Sequence, residues 1–223
     1  TGIQASALYQ VRSLLDLEQR VIKVHEPYQM LGQVEKDVMD ALDIDIVGLS
    51  DDSTLFGFPA AHWKPFTLFD GTPTLVPGAF NTEFSADGAL YQYPQGDKSV
   101  DPSAKMPAEG FYHDAIERQQ PYEPDELDPE EWVRQMYHVH TDEELALLEE
   151  RSEDLYQHTD CAIIGQLSGS GFGDIAHVPG LPVRHPKGIR AVADWYMATV
   201  LYPDYIKGIF DLQLEIAMQN LKL

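Results

Sequence analysis

Cysteine is almost missing from this chain, and positive charge is scarce. Cys161 is the single cysteine in 223 residues, so no internal disulfide can form and the chain suits a reducing compartment such as the cytoplasm. Only 15 Lys and Arg stand against 37 Asp and Glu, a net charge of -22. A surface of that sign repels phosphodiester backbones and argues against a nucleic-acid partner. No apolar run approaches the roughly 20 residues a membrane span requires, and no signal peptide opens the chain. Flexible Ser/Gly linkers are lacking too. With 43% apolar residues, residues 1–223 read as one domain with a sizeable core, able to act as a monomer or a homo-oligomer. The acidic residues crowded between 123 and 154 alternate with Leu and aromatics, the mark of a solvated helical face rather than a disordered tail.

What is present alternates in period. Residues 21–50 give a short apolar strand at 21–24, a polar loop, an amphipathic helix over 33–42 carrying Val34, Val38 and Leu42 on one side, and a second strand at 45–49. This is the pattern of a βαβ unit with parallel strands. An earlier helix over 5–17 aligns Leu8, Val11, Leu14 and Leu15. Residues 54–120 change character: aromatic and β-branched residues alternate with Asp70-Gly71, Pro77-Gly78 and Asp87-Gly88, of which the last is a two-residue hairpin signal. This stretch reads as an antiparallel insertion or lid. Asp128-Pro129-Glu130-Glu131 and Thr141-Asp142-Glu143-Glu144 open two helices, the second with Leu145, Leu148 and Leu155 inward. A buried strand over 161–165 runs into a glycine-rich loop, and two helices finish the chain, the last with Ile206, Phe210, Leu214, Ala217 and Leu221 as its stripe. Strands alternating with helices argue an α/β class, though three parallel-type strands are too few for a closed barrel.

Ligands of such folds sit beyond the carboxyl ends of strands. His25-Glu26-Pro27-Tyr28-Gln29 leaves the first strand there. His25 beside a carboxylate serves as acid or base, while Glu26, Tyr28 and Gln29 suit substrate orientation; a packed loop histidine is the plainer alternative. Ser168-Gly169-Ser170-Gly171-Phe172-Gly173-Asp174 lacks a Walker lysine and the last glycine of a dinucleotide fingerprint. It fits a tight loop at a site mouth, with Ser168 and Ser170 as contacts and Asp174 and His177 as its ionisable members. His138-Val139-His140 has metal-pair spacing, but at a helix end the two rings should diverge, so no metal is assigned. Cys161 reads as core rather than nucleophile. Tyr112 and His113 suit either the mouth or the surface, and Trp63, Trp132 and Trp195 the core.

The tracts KVHEPYQMLGQVEKDVMDALDIDIVGL, DGTPTLVPGAFNTEFSADGALYQYPQGD, AIIGQLSGSGFGDIAHVPG and HPKGIRAVADWYMATVLYPDYIKGIFDLQLEIAMQNL resemble the uroporphyrinogen decarboxylase superfamily, in particular its uncharacterised decarboxylase-like branch. The resemblance implies part of a (β/α)8 TIM-type barrel with a hairpin-containing insertion over about 54–120, the first barrel strand and the second half of the barrel lying outside this chain. It implies two chemistries. One is methyl transfer between a corrinoid protein and a small acceptor, with an acceptor-activating zinc held by a His-x-Cys and a later Cys in the half not present. The other is cofactor-free decarboxylation of uroporphyrinogen or a related carboxylate, for which Asp51 or Asp52 is offered as a pyrrole ligand. The Arg-rich motif of decarboxylases is not seen, and uroporphyrinogen's eight carboxylates suit an acidic surface poorly. Methyl transfer is the expectation, with a non-catalytic interaction domain as a third reading.

Overall fold

The computed structural model describes residues 2–50, 53–165 and 168–223. The chain opens with β1 (Ile3–Gln4), helix α1 (Ala5–Leu14), β2 (Ile22–Glu26), β3 (Leu31–Gly32), α2 (Lys36–Ala41) and β4 (Ile46–Leu49). Then come β5 (Lys64–Thr67), β6 (Pro73–Val76), β7 (Thr82–Phe84), β8 (Leu90–Gln92), β9 (Ala104–Met106) and β10 (Asp114–Ala115). Helices α3 (Pro129–Arg134) and α4 (Asp142–His158), strand β11 (Ala162–Gly165), α5 (Val192–Leu201) and α6 (Pro203–Asn220) complete it.

These strands form three separate sheets: five strands in the order β1-β3-β2-β6-β5, four in the order β10-β9-β8-β7, and the pair β11-β4. The expected α/β partial barrel is therefore wrong: the sheets are small, mostly antiparallel and not closed on one another. β2 and β4, which the sequence pairs as one βαβ unit, sit in different sheets. β2 lies antiparallel to β3 and parallel to β6, while β4 runs parallel to β11 in the register Ile46↔Ala162 to Leu49↔Gly165. The reason is visible in β2 itself. Ile22 and Val24 are buried while Lys23 and His25 are exposed, the alternation of a sheet with one wet face. A strand covered on both faces, as in a barrel, reads as near-continuous apolar residues. The stretch 54–120 is likewise no lid over a rim, because it supplies β6, the neighbour of β2. Its turns behave as expected: Asp70-Gly71 joins β5 to β6 and Asp87-Gly88 joins β7 to β8, each glycine at positive φ.

Two apolar clusters hold these parts. One gathers Leu8, Ile22, Val24, Met30, Phe56, Val76, Phe80, Leu90 and Met106. Arg12, buried on α1, fastens α2 beside it by donating to Asp37 at 2.6 and 3.0 Å, and it also donates to the Glu18 carbonyl at 2.7 and 2.9 Å. The other cluster gathers Trp132, Tyr137, Ile189, Trp195, Tyr205, Ile206 and Ile209. Arg190 lies inside it, 4.4 Å from the Trp132 ring centroid and bonded to the carbonyls of Lys187 and Trp132. Gly188 turns there at φ +73°, where a Cβ would stand 2.5 Å from the Tyr205 hydroxyl, so no larger residue fits.

Helix faces depart from the sequence reading in three places. On α6 the buried residues are Tyr205, Ile206, Ile209, Gln213, Ala217 and Asn220, whereas Leu214 and Leu221 are exposed. On α1, Leu14 is exposed and Ala5, Ser6, Leu8 and Arg12 face inward. Helix α4 has no buried residue, so Leu145, Leu148 and Leu155 are only partly covered. Among the described residues, no helix is long and apolar enough to cross a membrane.

Candidate functional site

The end of β2 is a tightly tied turn. The Glu26 carboxylate accepts the backbone N–H groups of Tyr28 at 3.0 Å and Gln29 at 2.8 Å, and that of Leu55. Burial nevertheless raises its pKa, outweighing those donors. Tyr28 stands edge-on to Phe56 at 6.0 Å, and its carbonyl accepts the His113 N–H at 2.8 Å. Glu26 and Tyr28 thus hold backbone in place, while His25 and Gln29 are exposed. Enough protein surrounds the His25 ring to push its pKa down by desolvation, although its surface is open.

His113 is a core residue, not a rim one. It is 2% exposed, its Nδ1 lies 3.1 Å from the Pro27 carbonyl, and it meets Phe56 and Phe80 edge-on. Desolvation lowers its pKa to about 4, so it is neutral at pH 7. Tyr112 points to solvent. Trp132 and Trp195 are buried as expected, and half-buried Trp63 carries the Lys23 ammonium over its ring at 5.7 Å. Cys161 is half-buried, its thiol 3.7 Å from the Ile44 carbonyl.

The glycine loop leaves the carboxyl end of the parallel pair β4–β11 and is laid on α6. At Gly169, φ is +93° and a Cβ would meet the Gln213 carbonyl oxygen at 2.6 Å and the Ala217 nitrogen at 2.9 Å, so only glycine allows this approach. The Ser168 carbonyl accepts from Asn220 Nδ2 at 3.3 Å. Ser170 is exposed. Asp174 Oδ1 accepts the Ala176 N–H at 2.9 Å, and its Oδ2 lies 3.8 Å from His177 Nε2. The His177 ring stacks on Tyr137 at 6.3 Å, and burial pushes the Tyr137 hydroxyl up to about 12.

Asp174 and His177 are therefore brought together on the loop after β11, while His25 and its neighbours stand at the end of β2, a strand of a different sheet. The β2 turn packs on the first apolar cluster through Tyr28 and Met30, and Phe172 of the loop meets Phe210, which packs on the second. Asp51 and Asp52 lie outside the described residues. Two open concavities, of about 430 and 460 Å³, line α4 and the junction of α5 and α6 with Pro124 and Leu127, and neither involves the expected loops.

Sequence reasoning missed a third constellation. Residues 137–141 are not the end of a helix, since α3 stops at Arg134. His138 and His140 do not diverge: a ligand atom from each, with one from Glu144, lies within 4.8 Å of the others. The capping box Thr141-x-x-Glu144 signalled where Glu144 would turn; that it turns toward two histidines is a tertiary fact. Asn220 on α6 fixes the histidine backbone, accepting the His140 N–H at 2.8 Å and donating to the His138 carbonyl at 3.2 Å.

No protein-family model, no curated protein and no solved structure matches this chain.

Proposed function

We propose that the chain works in methyl transfer between a corrinoid carried by another protein and a small thiol-like acceptor, with the loop at 168–177 as its reacting surface. The observation that carries this reading is the placement of that loop. It belongs to one of the tracts that resemble the uroporphyrinogen decarboxylase superfamily, and it follows the carboxyl end of a parallel strand pair, the end at which the larger open α/β sheets present ligands. Phe172 and Ile175 are exposed beside it, an apolar rim suited to meeting a macrocycle held by a partner. The corrinoid supplies the methyl group as an electrophilic carbon. His177, oriented by Tyr137 beneath its ring and by Asp174, accepts the proton from the acceptor's S–H and so presents the sulfur as a thiolate.

Decarboxylation of a polyacid is disfavoured by the fate of the buried cations. Arg12 is committed to Asp37, Arg118 through its two terminal nitrogens to the carbonyls of Gly180 and Val183, and Arg190 to carbonyls around Trp132, and the one donor of Arg118 left without a partner, Nε, is buried.

Methylcobalamin and 2-mercaptoethanol test the reading, with demethylation followed by absorbance. The chain should accelerate the transfer, and His177→Ala should lower the rate by at least about 100-fold, the lower end of what a general base supplies. His25→Ala should leave it nearly unchanged. No acceleration, or a rate indifferent to His177, overturns the proposal.

A further inference from the structure

We infer that His138, His140 and Glu144 form a binding site for one zinc-like divalent cation. Three observations converge on it. First, the spacing suits such an ion. His138 Nε2 lies 2.8 and 3.0 Å from the two Glu144 oxygens, and His140 Nδ1 lies 3.6 Å from Glu144 Oε2. Ligand atoms about 2.0 Å from a tetrahedral cation stand roughly 3.3 Å apart, so small rotations of these side chains would accommodate the ion. Second, the His140 side chain is 9% exposed, and its Nδ1 is buried with no hydrogen-bond partner. A buried ring nitrogen facing a carboxylate oxygen at 3.6 Å, yet hydrogen-bonded to nothing, costs free energy that coordination of a cation would recover. Third, the site is held from behind. Asn220 clamps the backbone of both histidines, and the capping box fixes Glu144, whose Oε2 accepts the Thr141 N–H at 2.8 Å. Outer partners of this kind set ligand geometry in metal sites.

Two imidazoles and one carboxylate are a borderline ligand set that suits zinc better than calcium or magnesium, which prefer oxygen alone. Binding requires the Nε2 lone pair of His138. In the apo chain Nε2–H donates to Glu144; on binding, the proton moves to Nδ1 of the exposed ring, or leaves for solvent if the ring began as imidazolium. Three protein ligands leave a coordination position open, so the bound ion can take a water or a donor from a small molecule. Asn220 also holds the Ser168 carbonyl, which places the cation beside the glycine loop. The inference does not rest on the methyl-transfer reading, since it concerns binding alone.

The test uses the full chain, freed of metal by a chelator and dialysed against zinc chloride, with metal counted by mass spectrometry. One zinc per chain is expected. His138→Ala and His140→Ala should each weaken binding by about 100-fold, and Asn220→Ala, a positioning change, by about tenfold. Glu144→Gln keeps an acceptor for the capping box, so its loss of binding is not a loss of the helix. His158→Ala, at the exposed far end of α4, should change nothing. Cobalt in place of zinc should give the intense visible bands of a tetrahedral site, and these should vanish in His140→Ala. Stoichiometry well below one, binding that survives the His138→Ala/His140→Ala double change, or a weak octahedral cobalt spectrum each overturns the site.

Discussion

His113 shows how much one buried titratable group can do. Its folded pKa, about 4, lies below the ordinary 6.5, so between those values the unfolded chain binds more protons than the folded one. Stability from this residue is complete above about pH 6.5 and is lost as pH falls toward 4, a change of about 3 kcal/mol over the window. Glu26 works in the opposite sense, since burial raises its pKa, and the effect is cleanest as a difference. Denaturant titrations at pH 7 and pH 4.5 should show a smaller loss in His113→Phe, which keeps the ring contacts with Phe56 and Phe80, than in the parent chain. Equal losses would mean that His113 is not desolvated. Sequence reading placed this residue at a mouth or on the surface because a lone Tyr-His pair carries no periodicity; its burial depends on Phe56 and Phe80, 57 and 33 positions away by subtraction of residue numbers.

At the scale of elements, α6 separates what pattern reveals from what packing decides. Its existence, its proline start and an inward Ile206 and Ala217 are legible, but i, i+4 steps through Phe210 and Leu214 pick a face turned partly away from the buried one. Ile209 is fully buried and Leu214 is 49% exposed. Ile209→Ala should therefore cost about 2–5 kcal/mol in denaturant unfolding, and Leu214→Ala no more than about 0.5 kcal/mol. The reverse order would restore the sequence-derived face. The faces differ because Tyr205, Gln213 and Asn220 are buried, and a hydrophobicity pattern discounts polar residues that lie inside. Capping chemistry transferred more faithfully. Thr141 Oγ1 accepts the Glu144 N–H at 3.2 Å with the reciprocal bond present, and Thr141→Ala should lower stability by about 1 kcal/mol.

Across the whole molecule, cohesion is uneven. The four-stranded sheet buries Leu90, Gln92, Ala104 and Met106, whereas the β4–β11 pair leaves Ile46 and Ile164 about half exposed. Regions with little apolar cover open at low free energy. Amide hydrogen exchange should accordingly be fast in 46–49 and 162–165 and slow in 90–92 and 104–106; uniform protection would contradict that ranking. The glycine loop proposed to react hangs from the weaker pair and is steadied by α6 through Gly169 and Asn220. The same charge excess that argues against nucleic acid is carried largely by exposed side chains.

By itself the sequence determined the local features: the hairpin turns at Asp70-Gly71 and Asp87-Gly88, the caps at Asp128 and Thr141, and the buried tryptophans at 132 and 195. Each is set by neighbours a few residues away, through turn stereochemistry, orphan backbone donors or burial of a large apolar ring. Only the tertiary structure decided which strands pair, which puts the strand that carries His25 and the strand before the glycine loop in different sheets, and which side chains converge, which joins His138, His140 and Glu144. Those outcomes depend on long-range backbone hydrogen bonds and on cores shared by distant segments, and no short-range pattern encodes them.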